Sequence, residues 1–177
     1  MLAPTPDAAE QRDNAAFDAL MWAMARPGEV RMLPGGMADL VLALIDGECR
    51  VMTDDPALAR LAAETGAALV PAPVADHAFV RDAAGAMATL AALPAGSALY
   101  PDVGATLVLA ARIGAGQRLM LSGAGIETQT EVQVGGLPEG FWALRAARCA
   151  YPEGVEVVLV DGARLLAVPR SSRVEVI

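Results

Sequence analysis

Residues 104–111 read GATLVLAA, an apolar run behind a glycine, and residues 155–160 read VEVVLV. Near-continuous apolar runs of this length are typical of strands that are buried on both faces of a sheet. In the first half of the chain, predicted helices alternate with short apolar strands, which indicates an α/β layered architecture. The sequence therefore predicts one domain over residues 1–177, in which a mixed sheet is flanked by helices in three layers.

Apolar spacing and glycine or proline stop signals predict the individual elements. Helices are expected over 7–25, 37–45, 56–64, 83–93 and 138–149. Strands are expected over 29–33, 49–52, 68–70, 78–80, 106–111, 119–121, 131–134, 156–160, 165–168 and 173–176. The glycine turn at 114–116 would join the two strands beside it. The last three strands would form a meander held by the turn at Asp161 and Gly162.

The composition argues against several classes of protein. No apolar stretch approaches the roughly 20 residues of a membrane helix, and residues 1–14 lack the basic start and apolar run of a secretory signal. We therefore expect a cytoplasmic protein that does not enter a membrane. A net charge of -8 opposes a broad nucleic-acid surface. Cys49 and Cys149 form no spaced cluster, so neither a disulfide framework nor a cysteine-rich zinc site is predicted.

All 13 positively charged residues are arginine, and the chain contains no lysine. It therefore cannot form a Schiff base with pyridoxal phosphate or present a phosphate-loop lysine, and no covalently bound cofactor is expected. His77 is the single histidine, and the adjacent Asp76 would point to the opposite face of a strand. The carboxylates of Asp54 and Asp55 lie apart from it, so the sequence predicts no catalytic dyad and no metal site.

Two segments have the composition of anion-binding sites. Ser122, Gly123 and Gly125 follow a predicted strand, where backbone N–H groups can converge on an anion; an ordinary tight turn is the alternative. Arg170, Ser171 and Arg173 combine guanidinium and hydroxyl donors at a strand end, where a phosphate or phosphonate could be bound. The alternative for this segment is a basic edge that prevents sheet-to-sheet association.

Arg26 stands at the end of the first predicted helix. A cation at this position is favoured by the helix dipole, so helix capping is one interpretation of it. Contact with an anion or with another subunit is the other.

Five segments in this order resemble the PhnH family, the H subunit of the bacterial carbon-phosphorus lyase core complex, over residues 13–177. They are MARPG (24–28), GATLVL (104–109), LSGAGI (121–126), YPEGVE (151–156) and AVPRSS (167–172). In the fourth segment the family pattern is Phe-Pro-Leu-Gly, an aliphatic residue and Asp. Glu153 therefore replaces an apolar residue, and Glu156 lengthens the acid.

The resemblance implies a three-layer domain related to the large domain of pyridoxal-phosphate transferases, without the cofactor lysine. It also implies a homodimer that docks on the other core subunits. Their complex couples an alkylphosphonate to C1′ of ATP and displaces adenine, with MgATP as a substrate of the complex. This chain offers few of the groups which that reaction needs, so no catalytic residue is assigned and an accessory role is expected.

Docking on partners predicts an exposed apolar patch, for which Phe141, Trp142 and Tyr151 are the candidates. The alternative function is that of an autonomous enzyme or binding protein for a small phosphorylated ligand. It would use the loop 123–125 together with Arg170 and Arg173.

Overall fold

The computed structural model describes residues 5–177. The helices in this part of the chain are α1 (Ala8–Ala25), α2 (Met37–Leu44), α3 (Pro56–Glu64), α4 (Ala83–Ala92) and α5 (Phe141–Arg148). The strands are β1 (Arg31–Met32), β2 (Arg50–Thr53), β3 (Ala68–Leu69), β4 (His77–Val80), β5 (Thr106–Ala110), β6 (Arg112–Gly123), β7 (Thr130–Gly135), β8 (Glu156–Asp161), β9 (Arg164–Val168) and β10 (Ser172–Val176). No helix among them is long and apolar enough to cross a membrane.

The main sheet has seven strands in the order β1-β9-β8-β5-β4-β2-β3. Five neighbouring strands of this sheet pair in parallel, namely β3, β2, β4, β5 and β8. At the other edge, β8 pairs antiparallel with β9, and β9 pairs antiparallel with β1. The predicted mixed sheet is therefore confirmed. A separate sheet of three antiparallel strands has the order β10-β6-β7.

Both faces of the central strands are buried, which explains their near-continuous apolar sequences. In β5, Leu107 and Leu109 point into one core and Val108 into the other. The helices α1, α2 and α3 cover the face on which Val108 lies. The opposite face is covered by α4, α5 and the three-stranded sheet. The flanking layers are therefore helical on one side, and part helix and part sheet on the other.

The helix starts follow local capping chemistry. The carboxylate of Asp55 accepts hydrogen bonds from the N–H groups of Ala57 and Leu58, and Pro56 stands at the first helical position of α3. An acidic N-cap and a proline at this position both favour a helix start. The predicted bounds of α3, 56–64, are confirmed. Helix α5 is shorter than predicted, because Gly140 before it has a left-handed backbone conformation with φ of 81°.

Two predicted connections are wrong. Residues 114–116 do not join two strands of one sheet, because β5 belongs to the main sheet and β6 to the three-stranded sheet. These residues lie at an irregularity within the long strand β6, where its register against β7 shifts. The last three strands do not form a meander either. β8 and β9 pair as predicted, but the chain leaves the main sheet after β9, and β10 pairs with β6.

Candidate functional site

A cavity of about 480 Å³ lies between α5 and the paired ends of β6 and β10. Five of the seven anion-binding candidates line it: Ser122, Gly123, Arg170, Ser171 and Arg173. The antiparallel register brings them together, since Gly123 lies opposite Ser172 and Ser122 opposite Arg173. Two segments that are about fifty residues apart in sequence thus contribute to one cavity. Arg145, Ala146, Cys149, Tyr151, Ser172 and Val174 complete its lining.

The other two candidates lie outside this cavity. The guanidinium of Arg26 lies 5.4 Å from the centre of the Trp22 ring and 3.9 Å from the carboxylate of Glu29. Gly125 has a φ of 81°, and a Cβ at this position would overlap the carbonyl oxygen of Ala25. The loop after β6 is therefore packed directly against the end of α1. This contact gives a packing reason for Gly125, the second glycine of LSGAGI, since a residue with a Cβ would not fit there.

Arg170 is held by partners within the chain. Its backbone N–H donates to Glu156 Oε2 over 2.6 Å, and its Nε donates to Glu156 Oε1. Its Nη1 donates to the carbonyl of Pro101. The side chains of Arg170 and Glu156 are only 14% and 15% exposed. The charge of Arg170 is therefore neutralised by Glu156, and its donors connect β8, β9 and the loop before β5.

Two glycines permit this arrangement around Arg170. A Cβ on Gly104 would lie 2.5 Å from the carbonyl oxygen of Gly154 and 2.7 Å from Arg170 Nη1. A Cβ on Gly154 would lie 2.9 Å from Cys149 Sγ and 3.0 Å from Arg170 Cβ. Three of the five quoted segments, 104–109, 151–156 and 167–172, thus meet at Arg170.

Arg145 differs from Arg170 in its partners. It is 1% exposed. Its Nη1 donates to the carbonyl of Ser172 over 3.1 Å, and its Nη2 donates to the carbonyls of Val168 (3.1 Å) and Pro169 (2.5 Å). No carboxylate of residues 5–177 forms an ion pair with it, and its Nε has no hydrogen-bond partner there.

Burial is the main influence on this guanidinium. It lowers the pKa of Arg145, whereas Cys149 and Glu156 oppose that shift. Arginine remains protonated in proteins even so. A buried positive charge without a carboxylate therefore lies against the cavity.

Sequence reasoning did not assign Arg145 to the site. The available signal was its position four residues after Phe141, on the apolar face of a predicted amphipathic helix. A charge on a face that packs against a core has to find polar partners there. Here those partners are the carbonyls at the end of β9 and the start of β10.

The cavity is positively charged although the protein as a whole is acidic. Its lining includes Arg145 and Arg173, which have no carboxylate partner within residues 5–177, besides Arg170, which Glu156 neutralises, and no Asp or Glu of the described chain lines it. Arg173 is exposed and forms no ion pair with residues 5–177. The hydroxyl of Ser172 is buried without a partner in the same part of the chain. The arrangement can attract an anion and donate hydrogen bonds to it.

The predicted docking patch is wrong for two of its three residues. Phe141 and Trp142 are 1% and 4% exposed and pack edge to face in the core, with ring centres 5.2 Å apart. They are buried because α5 covers the main sheet with this face. Tyr151 is 76% exposed and lies at the cavity.

A different apolar surface is exposed on α1. Phe17, Met21 and Trp22 are each 44–48% exposed, on the side away from Ala16, Leu20 and Ala23, which are buried. We call these three exposed residues the α1 surface. Sequence reasoning missed it because the buried stripe of this helix is built mostly from alanine, and the larger side chains face outward.

His77 does not form a dyad with Asp76. The carboxylate of Asp76 accepts hydrogen bonds from Arg50 through Nη2 (2.5 Å) and Nε (3.1 Å). Burial lowers the pKa of His77, and Asp76 and Asp46 oppose that shift. Cys49 and Cys149 are free thiols. Residues 5–177 contain no group of three or more His, Cys, Asp or Glu that could hold a metal ion.

Comparisons with known proteins cover almost the whole chain. The sequence model of the family described as bacterial phosphonate metabolism protein (PhnH) matches residues 6–175. A putative C-P lyase subunit protein, HtxG, of Stutzerimonas stutzeri is 31% identical, over 92% of this chain and 86% of its own length. A subunit of alpha-D-ribose 1-methylphosphonate 5-triphosphate synthase, PhnH, of Rhizobium meliloti (strain 1021) is 29% identical, over 92% of this chain and 90% of its own length.

Proposed function

This chain belongs to the PhnH family, and from that premise we propose that it is an accessory subunit of a carbon-phosphorus lyase core complex in phosphonate breakdown. The observation that carries the proposal is the extent of the match. It spans 92% of the chain and most of the length of two proteins that are both named as subunits. The whole domain, rather than one motif in it, therefore corresponds to a subunit.

The reaction that this complex would carry out is the transfer of an alkylphosphonate to C1′ of ATP. A phosphonate oxygen forms the new bond to C1′ while the bond from C1′ to adenine breaks, and adenine leaves with the electron pair and takes up a proton. A proton donor for adenine and cations around the triphosphate are needed. His77, the single histidine, is partly buried and has a lowered pKa, so it is poorly suited to protonate adenine. The proposal accordingly places the central chemistry in another subunit.

The α1 surface is where we place the contact with another core subunit. Its three large apolar side chains are solvent-exposed in the single chain, and aromatic residues and methionine are enriched in the cores of protein interfaces. Two guanidiniums also lie near the Trp22 ring, that of Arg26 at 5.4 Å and that of Arg31 at 5.6 Å from the ring centre. Apolar centres with a polar rim are the arrangement that specific interfaces use. Arg26 thus contributes to a subunit contact in this proposal.

Co-expression tests the subunit role. The tagged chain is produced together with the other core subunits of a carbon-phosphorus lyase, purified through the tag, and weighed by native mass spectrometry. A hetero-oligomer of fixed stoichiometry is expected. If the chain elutes without the other subunits, the subunit role is wrong and an autonomous binding protein or enzyme becomes the better interpretation.

The same experiment locates the contact when it is repeated with Phe17→Ser and Trp22→Ser together. We expect this variant to lose the other subunits, while the control Leu99→Ser, at a side chain that is 85% exposed elsewhere, retains them. Retention by both variants would exclude the α1 surface. If the other subunits are retained and only the self-association of the chain is lost, the α1 surface joins two copies of the chain instead.

Two finer properties are further parts of the proposal. The family resemblance implies a homodimer, which light scattering of the purified chain would measure directly. It also implies a likeness to the large domain of pyridoxal-phosphate transferases. The chain would keep their layered sheet but, without lysine, could not bind their cofactor covalently.

A further inference from the structure

The cavity beside α5 points to a ligand of its own. We infer that it binds the phosphate or phosphonate group of a small organic molecule. This inference goes beyond the subunit role and does not depend on it, because every group that it uses belongs to this chain.

The first argument is the charge of Arg145. Burying an ion is strongly unfavourable unless it is paired. The three carbonyls that accept its hydrogen bonds carry only partial charges, and no carboxylate of residues 5–177 pairs with it. An anion in the adjacent cavity would supply the missing negative charge. Because Nε of Arg145 is enclosed and both Nη groups donate to carbonyls, its contribution is electrostatic attraction rather than a direct hydrogen bond.

The second argument is a pair of free donors in the same cavity. Ser122 and Arg173 are direct cross-strand neighbours in the antiparallel pair β6 and β10, so their side chains lie on the same side of that sheet. Both line the cavity, and neither side chain has a hydrogen-bond or ion-pair partner within residues 5–177. A guanidinium fork beside a hydroxyl matches the oxygens of a tetrahedral phosphorus group.

The third argument is size. A volume of about 480 Å³ lies within the range of roughly 300–1,000 Å³ that is usual for small-molecule pockets. The phosphorus group would fill only part of this space. Tyr151, Cys149 and Val174 line the remainder and offer contacts to an organic substituent. The ligand class is therefore a phosphate ester or an organic phosphonate.

An NMR titration of the uniformly ¹⁵N-labelled full chain tests this site. Ribose 5-phosphate and methylphosphonate are titrated separately at constant ionic strength, each to about 10 mM, which detects affinities near the millimolar range. Ribose serves as the uncharged control. Saturable shifts are expected at the amides of Ser122, Gly123 and residues 171–174 with at least one of the two anions, and none with ribose.

The two anions distinguish the source of the phosphorus group. Saturation by ribose 5-phosphate alone identifies a phosphate-ester site, and saturation by methylphosphonate alone identifies a phosphonate site. Saturation by both shows that the phosphorus group is sufficient by itself. Linear shifts with both anions, or saturable shifts confined to other residues, would overturn the inference.

A matched pair of variants assigns the effect to its residues. Arg173→Gln removes an exposed guanidinium and is expected to raise the dissociation constant at least about tenfold, as the loss of a charge-assisted fork predicts. Arg112→Gln removes an exposed guanidinium from the opposite end of β6, outside the cavity, and should leave the constant unchanged. Equal affinities in Arg173→Gln and the native chain would also refute the site. The titration uses the isolated chain, so its failure would leave the subunit role to be judged by co-purification alone.

Discussion

Arg170 and Arg145 line the same cavity and hold the same turn between β9 and β10, yet they are stabilised in different ways. Arg170 is paired with Glu156, and the two side chains are about equally enclosed. Arg145 is more deeply buried and has only carbonyl partners within the described chain. A buried charge that is paired within the fold contributes to stability, whereas a buried charge without a carboxylate partner still attracts an anion. The comparison assigns Arg170 to stability and Arg145 to the electrostatics of the cavity.

Strand register explains why only one of the two has a carboxylate partner. β8 and β9 are antiparallel with Val157 opposite Val168. Glu156 and Pro169 are therefore the next residues beyond the last pair, and Arg170, one residue further along, is close enough to bind Glu156. Arg145 reaches the same turn from α5, on the side where the backbone carbonyls of residues 168, 169 and 172 point toward it. Both carboxylate oxygens of Glu156 accept hydrogen bonds from Arg170.

Removing Arg170 should have the largest effect on stability. In Arg170→Met the free energy of unfolding is expected to fall by about 3 kcal/mol, because Glu156 is left enclosed without its partner. Urea unfolding followed by tryptophan fluorescence measures this loss. In Arg170→Met with Glu156→Leu the loss should be smaller, since no unpaired charge remains. A loss below about 1 kcal/mol in the single variant would mean that the pair behaves like a surface ion pair.

Adding a methyl group next to the Arg170–Glu156 pair should have the next largest effect on stability. Gly104→Ala places a Cβ against the carbonyl of Gly154 and against Arg170, and overpacking of this kind typically costs about 1–3 kcal/mol. Gly85→Ala is the matched control, because it lies within α4 and its Cβ would meet no atom within 4 Å. The control should gain roughly 0.5–1 kcal/mol from better helix propensity. Equal stabilities of the two variants would show that the packing around Arg170 is loose.

Removing Arg145 should cost less than removing Arg170. In Arg145→Met the carbonyls lose their donor, but the cost of burying an unpaired charge disappears at the same time, so a loss of about 1–2 kcal/mol is expected. The same urea experiment measures it. If Arg145→Met proves less stable than Arg170→Met, the contrast drawn between the two arginines is wrong.

His77 gives the smallest expected effect of the four, since it is a partly buried imidazole that, unlike an arginine, can change its charge near neutral pH. Its pKa lies below the ordinary 6.5 because of burial, so the unfolded chain binds the proton more readily than the folded chain. The free energy of unfolding should therefore fall as the pH is lowered below about 6.5. His77→Gln should remove that part of the slope. An unchanged slope between pH 7 and 5 would assign the pH dependence to other groups.

Features with local causes were predictable from the sequence. The predicted bounds of α3, 56–64, are confirmed, and the apolar run 106–111 indicated a strand that is buried on both faces. The turn between β8 and β9 was also correct. Each of these depends on a few consecutive residues, whose backbone preferences and apolar spacing act over short distances.

The candidate site was predictable only in part. The segments 122–123 and 170–173 were recognised from their donors, and the structure brings them together in one cavity. The ion pair between Arg170 and Glu156 could not be predicted, because these residues are 14 positions apart and their contact depends on the register of β8 and β9. Arg145 was overlooked because its partners are backbone carbonyls, which have no signature in a sequence.

The sequence by itself determined that lysine-dependent chemistry is impossible, where the helices lie and which family the chain resembles, since these depend on residue identity and short-range spacing. Only the tertiary structure decided that β10 pairs with β6 instead of extending the main sheet, and this pairing forms the cavity. It also decided which face of α5 is buried, and so that Phe141 and Trp142 belong to the core while α1 carries the exposed apolar surface. Strand pairing and the choice of buried face depend on which arrangement of the whole chain has the lowest free energy. A short segment does not carry that information, because its partners are distant in sequence.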